Sequence, residues 1–190
     1  FMRVLFVASY NKGFFAPFIV EQAAALQAEG CDIDYYGIVG KGINGYIKAY
    51  PGLKAKIASF RPDVIHAHYG LSGLLCCLQH KVPVVTTYHG SDINDRKVLP
   101  FSHIAIMLSK FNIFVSQRTI DIAKPRNRYA LIPCGVDLND LQLTCKRDAR
   151  SAMGLDLDKK YVLFSGAFEN AVKNYPLAKE AVNRITDAEL

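Results

Sequence analysis

The stretch 63–92 constrains this chain most. It opens Asp63-Val64-Ile65-His66-Ala67-His68-Tyr69-Gly70 and closes Val82-Pro83-Val84-Val85-Thr86-Thr87-Tyr88-His89-Gly90-Ser91-Asp92. Between them, residues 71–80 are long enough for about three helical turns. Two short apolar runs around such a segment read as strand, helix, strand of a parallel sheet buried on both faces. Both runs end in His, Gly and small polar residues. Ligands of open parallel sheets collect outside the carboxyl ends of the strands. The working surface is therefore predicted at 66–70 and 89–92.

The rest of the chain repeats the alternation. Arg3-Val4-Leu5-Phe6-Val7-Ala8-Ser9 reads as a buried first strand. After a turn at 10–13, a helix is expected over 14–29, with Pro17 tolerated in its first turn and Gly30 as its stop. A second strand is predicted over 32–39. A loop with Gly40, Lys41, Gly42 and Gly45 follows, then a helix over 43–60 interrupted near Pro51-Gly52. Residues 93–100 read as a polar loop, 101–110 as a helix, 112–116 as a strand, 117–123 as a short helix and 129–132 as a sixth strand. Strands and helices alternating at this spacing predict a doubly wound parallel α/β sheet. Right-handed crossovers then place the strand ends that carry His and Gly on one edge.

The pattern breaks at Ile132-Pro133-Cys134-Gly135-Val136-Asp137. Residues 138–153 are polar and read as helical in parts. Lys160-Tyr161-Val162-Leu163-Phe164-Ser165-Gly166 reads as a new buried strand, and a helix follows from about 174 with Pro176 in its first turn. The expected organisation is a first domain over 1–136, a connector over 137–157, and the first strand and helix of a second domain over 158–190. One βα pair cannot build a core of its own, so the chain is expected to be part of a longer protein.

Charge and cysteine usage narrow the partners. A net charge of +6 and a pI of about 9.0 suit an anionic partner. The basic residues are dispersed and no aromatic platform accompanies them, so nucleic acid is not expected. The cysteines at 31, 76, 77, 134 and 145 are odd in number and lack paired metal-ligand spacing. They read as reduced thiols of a cytoplasmic protein. No apolar run approaches the ~20 residues that span a bilayer, and the first residues lack a secretory leader's basic segment and cleavage site. The helix over 43–60 mixes Ile47, Leu53, Ile57 and Phe60 with Lys48, Lys54 and Lys56. That is one apolar face on the sheet and one solvated basic face, or else a surface that leans on the anionic inner face of a membrane.

Two groups of residues could carry chemistry. The turn Tyr10-Asn11-Lys12-Gly13 leads into a helix, where free backbone N–H groups can hold an anion; a tight turn alone would also account for Gly13. His66 and His68 are two apart and share one strand face. That spacing suits a metal, with Asp92 or His89 as further ligands, and it equally suits ordinary buried histidines. Of the pair, His68 is expected nearer the carboxyl edge.

Taken together and in order, these stretches resemble the retaining glycosyltransferases of family 4, whose GT-B fold sets two Rossmann-like domains across a cleft. Arg61-Pro62-Asp63-Val64-Ile65-His66-Ala67-His68 looks like the family's third strand, and Thr86-Thr87-Tyr88-His89-Gly90-Ser91-Asp92 like its histidine loop. Val115-Ser116 matches a strand that often ends in Ser, and Ile132-Pro133-Cys134-Gly135-Val136-Asp137 looks like its connector, with Cys for the usual Asn. The resemblance implies transfer of a sugar from a nucleotide-sugar donor to a glycan or lipid-linked acceptor. The setting it implies is cell-surface polysaccharide or glycolipid assembly. By the same resemblance His89 is the catalytic residue, and Asn11, Lys12, Gly13, His68, Gly90, Ser91 and Asp92 shape the acceptor side. Lys173 fits a diphosphate-holding lysine, but Ala167 stands where the family has Arg after its glycine. The family's paired glutamates, seven residues between them, find no match among Glu169, Glu180 and Glu189. This stretch of chain is accordingly expected to be inactive alone. No metal or other cofactor is expected. The rival readings are a metal-dependent hydrolase using His66 and His68, a non-catalytic Rossmann-like binding module, and a nucleotide-sugar epimerase of similar shape.

Overall fold

The computed structural model describes residues 1–40, 42–138 and 143–190. Lys41, in the expected glycine-rich loop, and 139–142, in the stretch expected to be helical in parts, lie outside them. The chain divides into two compact units, Phe1–Asp137 and Leu138–Leu190.

The first unit alternates strand and helix as β1 (Arg3–Ser9), α1 (Pro17–Ala28), β2 (Asp32–Ile38), α2 (Gly42–Phe60), β3 (Val64–His68), α3 (Gly70–Cys77) and β4 (Val84–Tyr88). It continues with α4 (Ser91–Asn94), α5 (Leu99–Leu108), β5 (Phe111–Phe114), α6 (Gln117–Ala123) and β6 (Tyr129–Leu131). All six strands are parallel, in the order β2-β1-β3-β4-β5-β6. This is the doubly wound α/β sheet expected from the alternation. The order reverses between β1 and β3, and at such a switch point the flanking loops part to leave a crevice.

The two-residue period of β1 explains its burial on both faces. Val4, Phe6 and Ala8 point to one side and pack with Ile19 and Ala23 of α1. Leu5 and Val7 point to the other and pack with Leu53 and Phe60 of α2, Ile65 of β3, and Leu75 and Cys76 of α3. Each Val, Leu, Ile or Phe among them contributes roughly 1.5–3 kcal/mol when fully removed from water. A third cluster joins Tyr88 of β4 to Ile93, Ile106, Phe114 and Ala123 and anchors α4, α5 and α6.

Three local expectations are corrected. The helix over 43–60 is not interrupted at Pro51: α2 runs unbroken from Gly42 to Phe60. Pro51 removes one N–H, but Leu53, fully buried, holds the helix to the sheet. Gly52 makes room for a strand residue, since a Cβ there would lie 2.5 Å from the Tyr36 hydroxyl. That hydroxyl donates to the Ala49 carbonyl at 2.6 Å. The helix after β3 spans Gly70–Cys77, nearer two turns than three. The polar loop over 93–100 begins inside a short helix, because the Gly90 carbonyl accepts from the N–H groups of Ile93 and Asn94.

The second unit contains α7 (Lys146–Ala152), β7 (Lys160–Tyr161), α8 (Tyr175–Val182) and β8 (Ala188–Glu189). Asn174 caps α8, its side chain accepting from the Leu177 N–H, and Pro176 lies in the first turn. The buried strand expected over 160–166 is a two-residue strand, paired in parallel with β8 alone among the described residues. Leu163 beyond it is 89% exposed. Within this unit, a ladder of two strands leaves such a residue no covering layer.

A close helix-to-sheet approach in the first unit is that of α3 on β4. A Cβ at Gly73 would lie 2.5 Å from Thr86 Oγ1 and 2.6 Å from its Cγ2. Gly73→Ala is expected to lower the unfolding free energy by about 1–3 kcal/mol. Gly135→Ala, with nothing within 4 Å of the added atom, is expected to change it by less than about 0.5 kcal/mol. Urea denaturation of both variants checks this; equal stability would show that α3 can stand off the sheet at no cost.

Candidate functional site

The carboxyl ends of β3 and β4 are tied to each other by one side chain. Asp92, in the first turn of α4, is 4% exposed. Its Oδ2 accepts from the Gly70 N–H at 3.0 Å, and its Oδ1 from the Gly90 N–H at 2.9 Å and the His89 N–H at 3.2 Å. Burial raises its carboxyl above the ordinary range, and these N–H donors oppose the rise by favouring the charged form. The Ser102 hydroxyl donates to the Asp92 carbonyl at 2.8 Å and fixes α5 to the same turn.

Beside this link lies a layer of imidazoles. His66 and His68 stack with ring centroids 4.5 Å apart at 23°, and His68 and His89 with centroids 5.3 Å apart at 20°. His66 Nε2 is 2.7 Å from the Thr87 hydroxyl. His68 Nδ1 is 3.0 Å from His89 Nε2. His89 Nδ1 lies 3.8 Å from Cys134 Sγ, on an exposed residue. Phe18 and Tyr69 flank the His89 ring, at 4.4 and 4.9 Å between centroids. Burial lowers His66 to about 4, with the neighbouring His89 adding to the effect, and burial alone lowers His89 to about 4. His68 falls well below its ordinary value, mainly through burial and then through both other rings. The layer is therefore neutral at physiological pH.

In front of Tyr69 a cleft of about 560 Å³ opens between the β1–α1 turn, α1, α2 and α4. Asn11, Lys12, Tyr46, Tyr69, Ser91 and Asp92 are among its lining residues. Tyr69 holds φ +73°, a conformation bulky residues rarely adopt, with its N–H donating to the Thr87 carbonyl at 2.9 Å. Burial raises both cleft phenols, Tyr46 and Tyr69, so they present neutral O–H groups.

The residues expected at the site divide in three. Lys12, Ser91 and Asp92 line the cleft, and Gly13, Gly90 and His89 lie in the turns that border it. Asn11 also reaches the wall, but its amide is committed. It donates to the Ser9 hydroxyl and the Gly40 carbonyl, both at 3.0 Å, and accepts from the Gly40 N–H at 2.8 Å. His68, expected on the acceptor side, is 0% exposed. An inward pleat places it between Phe6 and His89, so its contact is with the His89 ring. Lys173 belongs to the second unit, where its Cγ would lie 3.0 Å from a Cβ at Gly166. The cleft tyrosines and Phe18 carried no sequence signal beyond their places, one residue after a strand and near two helix starts.

A metal reading finds no convergence of ligands. The nitrogens of His66 and His68 that make hydrogen bonds turn to different partners. Among the described residues, no group of three or more His, Cys, Asp or Glu side chains is placed to hold a metal ion.

A six-stranded parallel sheet with a cleft at its switch point, bordered by a histidine loop, defines a Rossmann-like domain of the GT-B kind. The chain belongs to Glycosyltransferase Family 4, whose sequence profile matches residues 18–140. It is 24% identical over 140 residues to TuaC of Bacillus subtilis (strain 168), a protein named for a glycosyltransferase role in teichuronic acid biosynthesis. That match covers 67% of this chain and 36% of TuaC. Its structure resembles sucrose-phosphate synthase from Thermosynechococcus elongatus with a TM-score of 0.82 and 17% identity, covering 100% of this chain and 61% of that one. It also resembles S. aureus MnaA in a co-structure with UDP, with a TM-score of 0.59 and 13% identity, over 100% of this chain and 61% of that one. The chain thus spans 36% of its curated relative and 61% of either solved chain.

The neutral histidines make stability depend on pH. Unfolded histidine titrates near 6.5, whereas His66 and His89 do so at about 4 in the fold. Between those values the unfolded chain binds more protons, so stability falls as pH drops. Each ring adds a slope of up to about 1.4 kcal/mol per pH unit. Asp92, raised by burial, works in the opposite sense near the acidic end. Denaturation midpoints measured from pH 7 to 5 are expected to fall, and less steeply in His66→Gln. Parallel profiles for the two proteins would show that His66 ionises freely in the fold.

Proposed function

We propose that this chain is the acceptor-side domain, with the start of the donor-side domain, of a retaining glycosyltransferase. The enzyme moves a sugar from a nucleotide-sugar donor to a glycan or lipid-linked acceptor. The observation that carries this reading is the placement of the His89 loop beside a cleft at the β1–β3 switch point, in a chain of Glycosyltransferase Family 4. The co-structure of MnaA with UDP supports a nucleotide-linked donor, and the likeness to TuaC supports cell-surface polysaccharide as the setting.

Departure of a nucleoside diphosphate needs positive charge and N–H donors where negative charge grows. In the first unit the Lys12 ammonium is the group proposed for this role; Lys173 is the second unit's own candidate for holding a diphosphate. His89 offers a neutral imidazole to an oxygen of donor or acceptor. The cleft phenols and the Ser91 hydroxyl suit the hydroxyls of a sugar. This scheme uses no metal. The 190-residue stretch is proposed to need the rest of a donor-binding domain for turnover. Among the described residues no helix is long and apolar enough to cross a membrane; contact with a membrane-borne acceptor is proposed to be peripheral, from the cytoplasmic side.

The test is sugar transfer by the full-length protein across a panel of nucleotide-sugars, with nucleoside diphosphate release and product anomer as readouts. One donor is expected to be turned over with its anomeric configuration kept, unaffected by chelators. His89→Ala is expected to lower kcat at least ten-fold, about 1.4 kcal/mol or more of barrier, with the fold intact by circular dichroism. Inversion at the anomeric carbon, or wild-type rates in His89→Ala, would overturn the mechanism or the role of His89 respectively.

A further inference from the structure

The structure assigns His68 as the positioning residue of His89: its Nδ1–H donates to His89 Nε2 and so leaves the His89 proton on Nδ1, facing the open side of the site. The consequence for turnover rests on the glycosyltransferase reading above; the hydrogen bond itself does not.

One buried nitrogen of His68 decides the direction of this hydrogen bond. His68 Nδ1 and His89 Nε2 are 3.0 Å apart, and with both rings neutral one of them must be the donor. His68 is 0% exposed, and among the described residues its other nitrogen, Nε2, meets no hydrogen-bond partner. If His89 were the donor, the His68 proton would sit on that buried Nε2 with nothing to accept it. Orphaned buried N–H groups are rarer than under-satisfied acceptors. With His68 as donor, its Nε2 is only a lone pair beside the rings of Phe6 and His66. Every N–H of the pair is then served. His68 Nδ1–H meets His89 Nε2, and His89 Nδ1–H points toward Cys134 Sγ at 3.8 Å on the exposed side.

The layer is built to hold this arrangement. His66 stacks on His68 at 4.5 Å and is itself anchored to the Thr87 hydroxyl at 2.7 Å. Phe6 packs against both rings, with centroids 4.9 Å from His66 and 5.3 Å from His68. A half-turn of the His68 ring would put a carbon in place of Nδ1 and give up the 3.0 Å contact with His89. His89 then meets a substrate oxygen as a hydrogen-bond donor through Nδ1, and its basic nitrogen is withdrawn from the reacting groups.

The tautomers are read directly by long-range 1H–15N correlation spectroscopy of the 190-residue chain labelled with [15N]histidine. His68 and His89 are both expected as Nδ1–H forms, with His89 Nε2 as the unprotonated nitrogen. A majority of His89 Nε2–H would overturn the assignment whatever the activity. Two variants of the full-length protein extend the test. His68→Leu removes the donor, and is expected to shift His89 toward its Nε2–H form and lower kcat about ten-fold with KM little changed. His68→Asn retains an N–H in reach of His89, and is expected to restore the Nδ1–H form and more than half of kcat. A wild-type His89 tautomer and wild-type kcat in His68→Leu would overturn the positioning role. Absence of turnover in the parent protein with every donor would count against the glycosyltransferase reading, and the spectrum of the parent chain would still decide the hydrogen bond.

Discussion

Three backbone N–H groups from two separate strand ends converge on one buried carboxylate. Asp92 takes Gly70 on one oxygen and His89 and Gly90 on the other. In a parallel sheet the strand ends are held by ladder hydrogen bonds only up to the last paired residue, and the loops beyond are otherwise free to splay. A charged acceptor is about twice as strong a partner as a neutral one, and here it is shared between β3 and β4. An amide in its place could accept on one side only and would set an N–H₂ against another N–H. The spacing of the His89 ring from Tyr69 and His68, on which any chemistry here depends, is inherited from that arrangement.

The fold was legible in the sequence because its central strands, β1, β3 and β4, are buried on both faces. Continuous apolar runs such as 3–9 and 64–68 admit few other readings, and glycine or histidine marks where several of them end. What was not legible is tertiary in origin. Pro51-Gly52 reads as a break until Tyr36 is seen to insert its hydroxyl against the helix. His68 reads as a residue of the edge because it ends its strand, and only the pleat against Phe6 shows it to be interior. The run at 160–166 reads as a core strand on hydropathy alone, yet among the described residues its strand pairing in the second unit is with two residues of β8.

The candidate site shows the same division. The two strand ends at 66–70 and 89–92 were predicted from spacing, and Asp92 joins them. The roles within them were not predictable from residue type. Asn11 looks like a ligand group by chemistry and is a latch by geometry, spending its amide on Ser9 and Gly40. The latch ties the β1–α1 turn to the end of β2, so Lys12 projects from a braced turn.

Tyr69 carries a different kind of information. A bulky residue at φ +73° costs of order 1–3 kcal/mol relative to a relaxed conformation. Glycine would occupy the same backbone without that cost. A blind search for hardier versions of this protein would therefore be drawn to position 69, and selection for stability alone would erode it. What the strain holds in place is a ring 4.9 Å from His89 in the cleft wall, and a glycine there would relax the backbone and forfeit that wall.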